Sequence, residues 1–348
     1  MDRKSIIGFV LIAVILTVWM TINSNNNAKE AAILKHTQDS LAKVDSQKRV
    51  IDAAIKKHID DSVLKAVVSK DTTLNIDSVI AAKHDQTLGV FKTASKGENK
   101  PIVIQNEKLK ATIYPKGGRI GEVELKGVKT SGGKPLILFR NDSTHFGLAF
   151  FDKQRRRFNT DSLYFNTTGK EFTVSGNDSN SIALRLYADS STEKNPRYIE
   201  YLYSLRGNSY MLGCTISFVG FDQIVPNDQS YFDLNWRMNT PTQEKNIDNE
   251  RAVASVFYNF DGEEGIENLT ERGNDSKSLS TGEVKWVSFK QQYFSSILIA
   301  NSKFSAGTEL SVRTPTDPFV VKAMSTTLSV PFGRTAKETF PMRFYFGP

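Results

Sequence analysis

The pattern of apolar and polar positions changes twice along this 348-residue chain. Residues 6–22 form a run of 17 positions without a charge or a proline, carried by Ile6, Phe9, Leu11, Ile15, Trp19 and Ile22. At roughly 1.5 Å per helical residue the run covers about 26 Å, the short end of a membrane-spanning helix. Trp19 suits the far interface. A cleaved signal peptide is the alternative, but its apolar core is usually about 7–15 residues long and precedes a small-x-small site. Here residues 23–27 read NSNNN instead. Arg3 and Lys4 precede the run, so the positive-inside rule keeps the N-terminus in the cytoplasm and exports the chain beyond Ile22.

Residues 28–96 carry a second pattern. Leu34, Leu41, Val44, Ile51, Ile55, Ile59, Val63 and Val67 recur at spacings of 3, 4 and 7, with lysines and aspartates between them, which predicts one amphipathic face. The stripe is interrupted at Thr37 and Lys48 and breaks at Asp71-Thr72-Thr73. It therefore reads as two imperfect helices in a solvated, partly helical or disordered tether, with a coiled coil as the alternative.

From residue 97 onward the pattern is short and alternating. All 11 prolines lie at position 101 or later, and only Gly8 and Gly89 precede Gly97. Residues 102–104 and 110–114 flank Asn106-Glu107-Lys108 and predict a hairpin, and residues 120–125 alternate after Gly117-Gly118. Residues 198–205 and 210–218 flank Arg206-Gly207-Asn208-Ser209, a second hairpin. Residues 308–312 and 318–323 continue the series. With 22 Phe and 11 Tyr to fill a core, the expectation is a mainly β fold, one large antiparallel sandwich. The organisation expected is an anchor (1–27), a tether (28–96) and a β domain (97–348).

Composition narrows the chemistry. The net charge of +7 is spread along the chain, so no segment is basic enough to suggest nucleic acid. One cysteine, Cys214, excludes an internal disulfide and a Cys-rich metal site, and its alternation with Leu212 and Ile216 predicts an inert buried thiol. Of four histidines, His36, His58 and His84 fall in the tether, which leaves His145 alone in the β region, expected as a structural or surface residue. No metal, cofactor or catalytic set is expected. The stretch KGGRIG (116–121) leads into a strand, not a helix, and reads as a β-turn rather than a phosphate loop. Arg155-Arg156-Arg157 reads as a hairpin tip.

Three blocks carry a resemblance. MDRKSIIG (1–8) opens the apolar run; VIQNEKLKATIYPKGGRIGEVEL (103–125) contains Pro115, Gly117 and Gly118, with PLILF (135–139) a little later. WVSFKQQYFSS (286–296) contains Trp286, Phe289, Gln291, Gln292, Tyr293 and Phe294, and the chain closes on FYFGP with Phe346, Gly347 and Pro348. Together they resemble the YidC branch of the YidC/Oxa/Alb membrane protein insertases. The resemblance implies a mutarotase-like β-supersandwich held in the periplasm by an inner-membrane anchor. It implies a non-enzymatic role in inserting and folding inner-membrane proteins, with accessory subunits of the Sec translocon and nascent membrane proteins as partners. The insertase core would lie outside these residues. The alternative is a membrane-anchored carbohydrate-binding or mutarotase-like protein.

Overall fold

The computed structural model describes residues 88–260 and 265–348, all inside one compact unit, Ala81–Pro348. The anchor positions Ile6, Phe9, Leu11, Ile15, Trp19 and Ile22, the flanking Arg3 and Lys4, and the tether as far as residue 87 lie outside the described residues.

Alternation of apolar and polar side chains dictates most of the strands. The first are β1 (Ile102–Gln105), β2 (Leu109–Tyr114), β3 (Arg119–Lys129), β4 (Pro135–Phe139), β5 (Thr144–Phe151) and β6 (Arg157–Asn159). Next come β7 (Asn166–Thr167), β8 (Phe172–Thr173), β9 (Ser179–Tyr187), β10 (Tyr198–Arg206), β11 (Met211–Val219) and β12 (Tyr231–Pro241). A short helix, α1 (Ile247–Val253), precedes β13 (Ser255–Phe260), β14 (Glu267–Asn268), β15 (Asp275–Leu279) and β16 (Val284–Lys290). The long strands β17 (Ser295–Arg313), β18 (Val320–Pro331) and β19 (Lys337–Gly347) close the fold.

One sheet runs β4-β3-β2-β1-β8, and a 14-stranded sheet runs β6-β5-β12-β18-β17-β19-β11-β10-β9-β7, with β13 to β16 attached through β17. Among the described strands every pairing is antiparallel except the two-residue contact of β1 with β8. The expected antiparallel sandwich is therefore the fold observed. β17 belongs to two neighbourhoods: Ser295–Ala300 pairs with β19, and Glu309–Arg313 pairs with β18, with a register shift between. Both ends of the long sheet are stubs, β6 with three residues and β7 with two.

Both predicted hairpins are present, with Leu205 opposite Leu212 and Gln105 opposite Lys110. Residues 318–319 stay outside β18, because the Phe319 amide donates to the Asp317 carboxylate and turns the chain there. The core is aromatic. Trp236 stacks on Phe289 with centroids 3.9 Å apart, and Phe218 stacks on Phe232 at 4.3 Å. Contacts of this kind add about 0.5–1.5 kcal/mol each beyond the apolar area they bury. Cys214 is fully buried, and burial pushes its thiol pKa up, so it stays protonated and inert. The segment just before residue 97 joins this core. Two single 3₁₀ turns, Gly89–Phe91 and Thr93–Ser95, bring Phe91 edge-on to Phe150 and Phe158 with no solvent exposure. The Asp189 carboxylate caps the Lys92 and Thr93 amides. Among the described residues no helix is long and apolar enough to cross a membrane.

Candidate functional site

The residues singled out from the sequence gather at two turns. At the first, Tyr114 ends β2 and Pro115 begins a reversal in which Gly117 and Gly118 take φ of 82° and 62°, a left-handed region open to glycine at little cost. The Gly118 amide donates to the Pro115 carbonyl, Gly117 donates to the Leu163 carbonyl, and Phe165 donates to the Pro115 carbonyl. The buried Tyr203 hydroxyl donates to the Gly118 carbonyl at 2.8 Å. A β-carbon on Gly118 would stand 2.9 Å from the Phe165 ring, so ring and backbone close on each other. This is a structural turn with strands on both sides, as expected.

The second turn joins β16 to β17. Alternation along β16 buries Val287 and Phe289, and the Gln291 amide then donates to the Phe294 carbonyl at 2.8 Å, closing a tight reversal. The register of β17 with β19 sets Ser295 opposite Gly347 and Ser296 opposite Phe346, so the blocks around residues 286–296 and 344–348 become one end of the sandwich. An aromatic chain supports it: Phe289 on Trp236, Trp236 edge-on to Phe344, Phe344 stacked on Phe346, and Phe346 against Phe139. Trp286 sits beside this chain, opposite Asn259 and Ile299. Phe294 packs on the core edge, while Tyr293 is 58% exposed and its hydroxyl accepts from the Gln292 side chain. Gln291 is 2% exposed, yet neither atom of its carboxamide has a hydrogen-bond partner, and the Ser296 hydroxyl is in the same position. Buried polar atoms without partners cost roughly 1–3 kcal/mol each, so a wholly unpartnered carboxamide is a costly feature for a turn to keep. The Pro348 carbonyl, beside this turn, accepts from the Tyr345 hydroxyl.

His145 lies elsewhere, on the outer face of β5, with Nδ1 3.7 Å from Asp161 Oδ2. Burial, with Arg237 next, lowers the imidazole pKa, and burial raises that of Asp161 against the pull of His145 and Arg119. Arg119 is held mainly by the Asn141 side chain and carbonyl. A neutral imidazole beside one carboxyl can pass a proton, but no second histidine supports it in the β region. Among the described residues no three of His, Cys, Asp and Glu gather as a metal set. The arginine cluster is a tip, as expected: Arg155 pairs with Asp228 at 2.7 Å, and Arg156 with the buried Asp152 at 2.6 Å. Sequence reading missed Asp161 and Arg237. Arg237 had a signal, since alternation along β12 sets Asn235, Arg237 and Asn239 on one outward face.

Fold and site together define a large antiparallel β-sandwich domain with an aromatic turn at one end that carries several of its unpartnered buried polar atoms. Residues 101–348 match the YidC periplasmic domain family, and the chain belongs to that family. It is 30% identical to the membrane protein insertase YidC of Parabacteroides distasonis, over 100% of this chain and 52% of that protein. Against the insertase of the same name from Bacteroides fragilis the figures are 28%, 100% and 51%. The chain thus spans about half the length of the curated relatives it matches. Among solved structures it is similar to a putative aldose 1-epimerase from Escherichia coli K12, with a TM-score of 0.44 and 10% identity, over 72% of this chain and 99% of that one.

Proposed function

We propose that this chain is the anchored periplasmic part of a membrane protein insertase, with residues 6–22 in the inner membrane, residues 28–96 as a tether and the sandwich outside the bilayer. The observation that carries the reading is the family match over residues 101–348 in a chain that aligns end to end with about half of each insertase relative. In this reading the domain recruits or orients, alone or beside accessory subunits of the Sec translocon, and nascent membrane proteins are handled by a core outside these residues. The physical argument is the bilayer itself. Moving a polar backbone into lipid costs several kcal/mol for each unsatisfied group, so a catalyst of insertion needs polar surface at membrane depth. The 6–22 run offers only Thr17 and Thr21. The open end at Gln291 and Tyr293 supports a docking role.

Complementation tests this. In cells depleted of their own insertase, residues 1–348 fail to restore growth, and a version extended through the rest of the gene succeeds; rescue by the short chain would overturn the division of labour. For topology, a cysteine at Ser95 in a Cys214→Ser background reacts with an impermeant reagent from the periplasmic side, and protection there sinks the orientation. The competing carbohydrate reading predicts catalysed mutarotation of aldoses that disappears in His145→Ala. Polarimetry showing only the spontaneous rate favours the non-enzymatic reading.

A further inference from the structure

On the outer face of the long sheet, four adjacent strands bring together residues far apart in the chain. His145 on β5 lies opposite Arg237 on β12, and Arg237 lies opposite Ser325 on β18. Ser325 lies opposite Ser311 on β17, and Arg313, two residues on, lies opposite Ala323. Directly paired residues share a face, so these side chains all point the same way. Between the two arginines the sheet carries only Ala323 and Ser325, and the floor drops into a hollow of about 180 Å³ that Ser143 and Asn239 also line.

Neither guanidinium makes a hydrogen bond or ion pair with any group among the described residues. Elsewhere on the surface Arg140, Arg155, Arg156 and Arg185 each have a carboxylate. The only acid lining the hollow is the exposed Asp142 at its rim, and the Asp161 carboxyl stands behind His145. Two strand spacings and an offset of two residues set the arginine backbones about 12 Å apart. Two long side chains reaching inward across that span close on one tetrahedral oxyanion, with a charge-assisted hydrogen bond of about 2.8 Å on either side. Small side chains between two unpaired arginines leave the space that such a group fills, and the repulsion of the like charges is relieved when it does.

We propose that this hollow is a binding site for a single phosphate group, held between Arg237 and Arg313 over Ser325, with Asn239 and Ser143 as further donors. The hollow is too small for a polymer and takes one head at a time. A phosphate ester in solution and the phosphate of a lipid headgroup both present this chemistry. The site is independent of the docking end at Gln291.

The test uses the purified 348-residue chain. Titration with inorganic phosphate and with glycerol 3-phosphate, monitored through the His145 imidazole resonances assigned with His145→Gln, gives a saturable shift. Arg237→Ala and Arg313→Ala each weaken binding by about tenfold or more, and Arg237→Lys falls between, because it keeps the charge and loses the planar fork. Both arginines are exposed and their guanidiniums make no hydrogen bond or ion pair among the described residues, Arg237 acting only at a distance on His145 and Asp161, so the melting temperature of each variant stays within about 2 °C of the parent. Short-chain dihexanoyl phosphatidylglycerol, titrated below its micelle concentration, separates the sources: a saturable His145 shift lost in the Arg237→Ala/Arg313→Ala double variant assigns a headgroup, and binding of glycerol 3-phosphate with no shift from the lipid assigns a soluble ester. Absence of saturable binding, or binding that both arginine variants retain, would overturn the site.

Discussion

The two turns that the sequence motifs single out are built on opposite principles. Around Gly117 and Gly118 both glycine amides and the Pro115 and Gly118 carbonyls have fixed partners, and the Tyr203 hydroxyl and the Phe165 ring close the space from inside. Around Gln291 and Tyr293 the backbone is equally tight, but a buried carboxamide has no partner and an aromatic ring faces solvent. A turn finished by its own fold stabilises the domain; a turn left open is where another surface can complete it. In the proposed reading, motif residues of similar density divide between holding the domain and presenting it.

Gly118→Val challenges the closed turn hardest. It forces a branched side chain into left-handed backbone and against the Phe165 ring, and a loss of about 3 kcal/mol is expected from urea unfolding. A loss below roughly 1 kcal/mol would show the turn to be looser than its contacts indicate. Tyr203→Phe removes one buried hydrogen bond and leaves the Gly118 carbonyl short of a donor, at a cost of about 1–2 kcal/mol by the same measurement. At the open turn the sign reverses. Gln291→Leu removes an unpartnered amide of similar volume, so stability stays within about 0.5 kcal/mol or rises, while complementation by the full-length gene declines. A large fall in stability would assign Gln291 to the fold and not to a partner. Tyr293→Ala changes the melting temperature least, since the ring is mostly in water, and its effect is read in complementation alone.

The last distinction is a pH dependence beside the closed turn, where the backbone of Asp161 lies against Gly117. Burial raises the Asp161 pKa, so the folded state holds this proton more tightly than the unfolded chain. Its contribution is full below the ordinary carboxylate range and is lost as pH rises through the folded value. Asp161→Asn flattens that slope in unfolding curves taken across roughly pH 3 to 7, whereas the parent slope surviving in the variant would place the titration elsewhere.

Local chemistry made much of this readable in advance. The hairpins at residues 102–114 and 198–218 carry their turn residues between alternating runs, so strand, turn and face are set by a dozen neighbouring positions. Cys214 was readable for the same reason. β17 was not, because its two halves serve different partners and Asn301 and Ser302 turn outward in the middle, which makes one 19-residue strand look like two short ones. Phe91 was hidden by the absence of any period in a single 3₁₀ turn, and it moves the proposed start of the folded unit from residue 97 toward 88. The pairing of Arg237 with Arg313 depends on the order of β5, β12, β18 and β17 in the sheet, and no spacing along the chain encodes that order.

The stubby strands that finish the long sheet bear on the company this domain is proposed to keep. Extended polypeptide in transit seeks any row of unpaired amides and carbonyls, and a long flat border would capture it indiscriminately. With three residues in β6 and two in β7, the two ends of the main strand path offer too little ladder to hold a visiting strand, and β15, a further edge strand of that sheet, is five residues long with Lys277 at its centre. A sandwich finished this way can stand in a stream of unfolded protein without being fouled by it, which leaves the selection of what it does hold to side chains.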